Sequence, residues 1–379
     1  MGLTSLPPLS LYIHIPWCAR KCPYCDFNSH EAKGEIDEKA YVDALTLDLE
    51  SFLPEIWGRP VRSVFFGGGT PSLLSPASIE RILVRVRERV RLDADAEITL
   101  EANPGTMDSG RFPAFRDAGI NRISLGIQSF DDRHLASLGR IHDGRQAAHA
   151  VESALHHFGN VNLDLMYALP MQKLEDAKSD LEMAASFDPP HLSAYHLTIE
   201  PNTLFHAHPP EVPCEDEAFE MQILVEEWLG AKGYENYETS AFAKQGFRCR
   251  HNLNYWQFGD YIGIGAGAHA KISRHDGISR QMRWKNPASY LKKVLEGNPL
   301  QSRQEIDEVS FEFMMNALRL REGFSLNLFE ERTGLSRLAV LSQLDEAERL
   351  GFVSRDPFRV VPTEKGRRFL NDLLQIFLE

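Results

Sequence analysis

Cys18, Cys22 and Cys25 fall in one short stretch, HIPWCARKCPYCDFNS, directly after the apolar run LSLYIHI. Three thiolates so spaced can hold three corners of a cubane iron–sulfur cluster and leave the fourth iron open to a small ligand. The competing occupant is a structural zinc ion. Zinc wants four protein donors and would have to recruit His14 or His30 as the fourth. Further along, GGGTP (Gly67–Pro71) offers bare backbone to a neighbour or simply a turn before a helix. No Gly-Lys-Ser/Thr follows it, so it is not a phosphate-binding loop.

The segments that must position this loop alternate between strand and helix from residue 9 to about 200. Strands are predicted at Leu9–Ile15, Arg62–Phe66, Glu97–Glu101, Arg122–Gln128, Val161–Met166 and Leu192–Thr198, with helical patterns such as Glu38–Phe52, Pro76–Val90 and Gly144–His157 between them. This rhythm implies parallel strands joined by right-handed crossovers. Six such units favour an α/β fold with a partial (β/α)6, TIM-like barrel over a flat doubly wound sheet. Side chains alternate across a strand. Leu9, Leu11, Ile13 and Ile15 therefore share one face and Ser10, Tyr12 and His14 the other; Ile98 and Leu100 oppose Glu97, Thr99 and Glu101. The polar parity is expected to line an interior, where buried polar groups need partners or ligands. His14, Glu101, Gln128 and Asp164 crowd toward strand ends, on the rim that also carries the cysteine loop and GGGTP. Ligands in such folds bind at the carboxyl ends of strands. For any one of these acids, capping the next helix is the plainer role.

The totals bound the rest. A chain of 379 residues implies two or three domains. A formal charge of −13, from 54 acidic and 41 basic residues, disfavours nucleic acid as main partner. Beyond the loop only Cys214 and Cys249 remain, which reads as buried thiols in a reducing compartment. The start MGLTSLPPLS lacks signal-peptide character and no apolar run reaches membrane-span length, so a cytoplasmic protein is expected. Residues 1–240 are expected to form the barrel and 241–304 a connecting region with four glycines between Gly259 and Gly267. Residues 305–379 are expected to form a C-terminal winged-helix-like domain. Its third helix carries Asp345, Glu346 and Glu348, which would meet phosphates unfavourably, so a packing or partner module is expected rather than a DNA reader.

The stretch Cys18-Ala-Arg-Lys-Cys22-Pro-Tyr24-Cys25 resembles the CxxxCxxC hallmark of the radical S-adenosylmethionine (SAM) superfamily, with its aromatic before the last cysteine. That resemblance implies a barrel of radical SAM type and a [4Fe–4S] cluster on Cys18, Cys22 and Cys25. The open iron would chelate the amino and carboxylate groups of S-adenosyl-L-methionine, whose reductive cleavage yields a deoxyadenosyl radical. A fuller set, PPLSLYIHIPWC, GGGTPSLL, EANPG, RISLGIQSF, NLDLMYALP, LTIEPNT and HNLNYW, is similar over essentially the whole chain to the HemW family of haem chaperones, relatives of oxygen-independent coproporphyrinogen III oxidase. By this resemblance Tyr12, Gly68, Gly69, Thr70, Glu101, Gln128, Arg140 and Asp164 contact S-adenosyl-L-methionine.

HNLNYW (His251–Trp256) matches the family's HNxxYW haem-binding motif. His251 would offer a neutral imidazole to the iron, and Tyr255 and Trp256 a flat apolar surface to the macrocycle. Cys249 is a rival ligand, and a satisfied core histidine is the plain alternative. The resemblance further implies haem as cargo, haem-accepting proteins as partners, some at the membrane, and a homodimer linked to the cluster. The oxidase type continues CxxxCxxCxC and carries an N-terminal extension, whereas here Asp26 and Phe27 follow Cys25 and about ten residues precede the first strand. A radical SAM oxidase acting on coproporphyrinogen III is therefore the alternative function, and catalytic activity is left open.

Overall fold

The computed structural model describes residues 2–107 and 110–378. Six strands, β1 (Leu9–Ile15), β2 (Val61–Gly68), β3 (Leu92–Ala102), β4 (Arg122–Gln128), β5 (Val161–Tyr167) and β6 (His191–His196), lie side by side in chain order. Each is parallel to the one before. Between them run helices such as Glu38–Ile56, Pro76–Arg89 and Gly144–His157. The expected alternation is present, with shifted ends. β3 starts five residues before the expected Glu97, because the polar stretch LDADA continues the ladder. β6 ends at His196, and Leu197 turns into a small apolar cluster with Leu138, Leu169 and Phe205.

Strand parity decides what faces where. Leu9, Leu11, Ile13 and Ile15 all join the main core. The Glu38–Ile56 helix covers them with Tyr41, Leu45, Leu49 and Phe52, each buried side chain contributing roughly 1.5–3 kcal/mol. The helix starts where Asp37 caps it, its carboxylate accepting the Ala40 N–H at 2.9 Å. The opposite parity forms a polar interior in which Ser63 Oγ donates to Ser10 Oγ at 2.9 Å and Ser124 Oγ to Asp164 at 2.9 Å.

Further strands extend this sheet on both sides: β7 (Glu235–Asn236), β8 (Ala241–Ala243), β9 (Asp260–Ile264), β10 (His269–Ser273), β11 (Ile278–Arg283) and β12 (Leu300–Glu305). The order is β12-β11-β10-β9-β1-β2-β3-β4-β5-β6-β8-β7, so the barrel stays open, with β12 and β7 as its edges. β9 pairs parallel with β1, and β10 to β12 follow as an antiparallel meander. The edge strand β12, LQSRQE, is polar, which discourages pairing with a second chain.

The short helix Arg250–Trp256 closes the bottom of the interior. Its first-turn N–H groups, those of Arg250 and His251, donate to the Glu97 carboxylate at 3.2 Å each. Glu97 thus acts as an acid at a helix N-terminus. It lies four residues, about 13 Å, below the rim marked by Glu101.

The C-terminal domain sets helices Val309–Ala317, Leu326–Thr333 and Leu341–Arg349 beside a three-stranded sheet of Phe324–Ser325, Val353–Arg355 and Arg359–Pro362, a winged-helix arrangement. Its core of Phe313, Phe324, Phe329 and Leu344 also takes in Phe258 and Ile278. The acids of its third helix are engaged: Asp345 and Glu348 with Arg355, and Glu346 with Arg349. Among the described residues no helix is long and apolar enough to cross a membrane.

Candidate functional site

β1 delivers the chain to the cysteine loop, and the loop's two ends are clamped together. Trp17–Cys18 pairs with His30–Glu31, and the Ala32 N–H donates to Cys18 O at 2.9 Å. All five cysteines are free thiols. Among the described residues, the only group of three ligating side chains whose donor atoms lie within 4.8 Å of one another is Asp131, His134 and Asp176. There Arg133 already bridges the two carboxylates. The three loop thiols do not form such a group, so at least one pair of their sulfurs lies farther apart than 4.8 Å, whereas a single zinc ion would draw all its sulfur ligands to within about 4 Å of one another. A cubane, which presents a separate iron to each thiolate, suits them better. Arg140 adds positive charge, with Nη1 3.6 Å from Cys22 Sγ and Nη2 donating to Gly126 O at 2.6 Å. Burial pushes the Cys18 thiol above its ordinary pKa, against the Thr70 hydroxyl that favours the thiolate. A bound metal cluster would supply the charge such a thiolate needs.

GGGTP is bare because the cysteine loop lies on it. A Cβ at Gly69 would fall 2.5 Å from Trp17 O and 3.0 Å from Cys18 Sγ. Gly68 has φ +119°, and a Cβ there would meet the His14 ring at 2.6 Å. The Gly69 and Thr70 N–H groups donate to Ile15 O and Trp17 O at 2.8 and 2.7 Å, tying the two loops into one rim. Above them the Glu101 carboxylate accepts the Gly68 N–H at 3.2 Å. Burial, then the nearby Asp164, pushes the Glu101 carboxyl up to about 8. Asp164 itself is raised by burial, against hydrogen bonds from Ser124 and Asn162.

A cavity of about 800 Å³ opens beside this rim, within the range for small-molecule sites. Tyr12, Gly68 and Glu101 stand on its wall, with Phe27, Asn28 and His30 of the cysteine loop. Thr70 and Arg140 instead line a small cleft with Cys22. Gly69, Gln128 and Asp164 are on neither wall; Gln128 leaves β4 with φ +69°.

With this geometry in view, comparison with known proteins is direct. Residues 12–184 match the radical SAM superfamily model and residues 307–369 the HemN C-terminal domain model. The haem chaperone HemW of Escherichia coli K12 is 48% identical over 99% of this chain and 100% of its own length. The chain belongs to the HemW family. HemW of Haemophilus influenzae is 46% identical, covering 99% of both chains. The fold recurs in a solved radical SAM enzyme, coproporphyrinogen III oxidase (HemN) from Escherichia coli, with a TM-score of 0.83 at 24% identity over 98% of this chain and 90% of that one. Radical SAM membership implies a [4Fe–4S] cluster and S-adenosyl-L-methionine.

The HNxxYW motif of this HemW family member divides between two environments. His251 is 1% exposed, at the bottom of the interior. Its Nδ1 pairs with Ser63 Oγ and its Nε2 with the Tyr255 hydroxyl, both at 2.9 Å. Burial, then Arg122, lowers its pKa to about 3, so the ring is neutral. In this placement both ring nitrogens already have partners. Cys249 is also buried, its thiol donating to Glu97 at 3.6 Å. Tyr255 and Trp256, by contrast, line the 800 Å³ cavity. The same wall carries residues not singled out from the sequence: Tyr261, His269, Arg280 and Lys285 from the meander, and Lys21 from the cysteine loop. One local signal existed for them. Asn28 in CDFNSH donates to Ala266 O and Lys285 O at 2.9 Å each, pinning the glycine-rich GAGAH turn beside the cysteines.

Proposed function

We propose that this chain is a haem carrier that takes haem into the cavity beside the cysteine loop and passes it to acceptor haemoproteins. Cys18, Cys22 and Cys25 would hold the [4Fe–4S] cluster. Tyr12, Gly68 and Glu101 on the cavity wall, with Gly69, Thr70, Gln128, Arg140 and Asp164 around it, would hold S-adenosyl-L-methionine. The observation that carries this reading is one cavity joining the cluster rim to the aromatic end of HNxxYW. Tyr255, Trp256 and Tyr261 line it with aromatic side chains for a macrocycle, Tyr255 and Tyr261 meeting edge to face at 4.5 Å, and Lys21 and Lys285 are exposed cations for its propionates. The names of the full-length relatives, haem chaperones, support the same reading. His251 acts here as a positioning residue, holding the Tyr255 phenol.

When bound, the cluster and S-adenosyl-L-methionine supply one-electron chemistry. The chain's own part is to hold three thiolates and to orient the cofactor's polar groups through Glu101 and the glycine backbone. Anaerobically reconstituted protein is expected to bind one haem per chain in a spectrophotometric titration and to lose it to an apo-haemoprotein. Failure to take up haem stoichiometrically would sink the proposal.

One observation favours the second reading, a radical SAM oxidase acting on coproporphyrinogen III. Tyr12, Gly68 and Glu101 share the cavity, so a tetrapyrrole there would face the cofactor site directly. Incubation with S-adenosyl-L-methionine, reductant and coproporphyrinogen III decides between the two. Conversion of propionates to vinyl groups would replace the carrier reading.

A further inference from the structure

We propose that His269 is the side chain that ligates the haem iron in this cavity, an inference that rests on the haem-carrier reading above. Three histidines line the cavity: His14, His30 and His269. They differ in what their rings already do. His14 is committed on both nitrogens, to the Tyr12 hydroxyl at 3.0 Å and to Asn28 O at 2.9 Å. His30 shares Nε2 with Asn28 Oδ1 at 3.3 Å and belongs to the strand pair that clamps the cysteine loop. His269 is exposed, and its ring takes part in no hydrogen bond or ion pair among the described residues. The two candidates from the motif region, His251 and Cys249, are both 1% exposed, already partnered, and off the cavity wall.

Position and charge agree with this choice. His269 stands on β10 two residues before Lys271, and the register Tyr261–Lys271–Arg280 across β9, β10 and β11 puts all four on one face of the sheet. On that face Lys271 is neutralised by Asp260 at 3.0 Å and Arg280 by Glu312 at 2.6 Å. Of the lysines and arginines on the cavity wall, Lys21 and Lys285 are exposed and have no carboxylate partner among the described residues, Lys21 Nζ donating to Ser29 O at 3.2 Å. A haem held through its iron at His269 would share the cavity with the aromatic side chains of Tyr255, Trp256 and Tyr261 and have the two lysines on the same wall for its propionates. Burial, then Lys285 and Arg280, keeps the His269 ring below its ordinary pKa, so its lone pair is free near neutral pH.

The test uses full-length, cluster-reconstituted protein, with haemin as the probe. Wild type, His269→Ala, His30→Gln and His251→Ala are titrated and their ferric haem is examined by electron paramagnetic resonance and magnetic circular dichroism. His269→Ala is expected to lose the nitrogen-ligand signature and weaken haemin binding by at least about tenfold, the low end of what losing a group costs a metal site. Added imidazole is expected to restore the signature, while iron and sulfide content stay at wild-type levels because His269 touches no cysteine. A His269→Ala protein with the wild-type spectrum and affinity would overturn the assignment and leave the carrier reading standing, and a loss confined to His30→Gln or His251→Ala would move the ligand there. Wild type that binds no stoichiometric haemin would remove the carrier reading and this inference together.

Discussion

At the scale of single residues, the chemistry of the rim is set by what burial does to charge. Glu101, with its carboxyl pushed up to about 8 by burial and then by Asp164, is protonated at neutral pH while no ligand is bound. A ligand that brings hydrogen-bond donors or an ammonium selects the carboxylate instead. Binding of S-adenosyl-L-methionine should therefore release about one proton at pH 7 and tighten as pH rises toward 8. Calorimetry in two buffers of different ionisation heat measures that release, and Glu101→Gln should abolish it. Stability runs the other way. The unfolded chain gives up this proton near the ordinary value of about 4.3, so ligand-free stability should fall as pH climbs from there to 8. Thermal melts across that range should show the decline flattened in the Gln variant. Gly69 makes a steric prediction of the same locality. With 2.5 Å between its would-be Cβ and Trp17 O, Gly69→Ala should push the two loops apart. Reconstituted iron and sulfide should then drop toward background while the far-ultraviolet circular dichroism spectrum stays unchanged.

Among elements, the decisive joints tie the late meander to the early rim. Asn28 donates from the cysteine loop to Ala266 O and Lys285 O at 2.9 Å each. Removing it in Asn28→Ala leaves two carbonyls short of a donor and should cost about 1–3 kcal/mol in denaturant unfolding. Hydrogen exchange should speed up in residues 265–269, and haem and cluster should both be held less firmly. Unchanged exchange there would mean that the turn is held from elsewhere. The Arg250–Trp256 helix shows the same logic from below. Glu97 captures its first N–H groups, and that capture decides which of its residues point into the interior and which reach the cavity.

For the molecule as a whole, Asp260 is the knot. It sits on β9, fully buried, accepting from Lys271 at 3.0 Å and from Arg59 at 2.8 Å, while Lys271 lies 4.0 Å over the Phe258 ring that belongs to the C-terminal core. Sheet, first crossover and C-terminal domain are thereby coupled through one carboxylate. Asp260→Asn leaves a buried ammonium uncompensated and should cost about 3–5 kcal/mol, read as a large fall in denaturation midpoint. Burial opposes the charge of Asp260, but Lys271 and Arg59 outweigh it and hold the carboxyl below its ordinary value. The stability it contributes is therefore present above about pH 4 and lost as pH falls through the lower folded-state value. The Asn variant should lack that acid-dependent component.

The amino-acid sequence by itself determined the cysteine loop, the six parallel strands and the polar parity carrying Tyr12, His14 and Glu101. All of these rest on spacings of two to seven residues, and local geometry obeys such spacings wherever the segment ends up. The winged-helix outline was readable for the same reason. What only the tertiary structure decided is where HNLNYW goes. The parallel pairing of β9 with β1 draws the preceding helix under the barrel, burying His251 and turning Tyr255 and Trp256 to the cavity. The wall made by His269, Arg280 and Lys285 has the same origin, since Asn28 meets Ala266 across 238 residues of chain. No periodicity spans such a distance; contacts of that kind exist only once the sheet has assembled and its long-range pairings have chosen which faces meet.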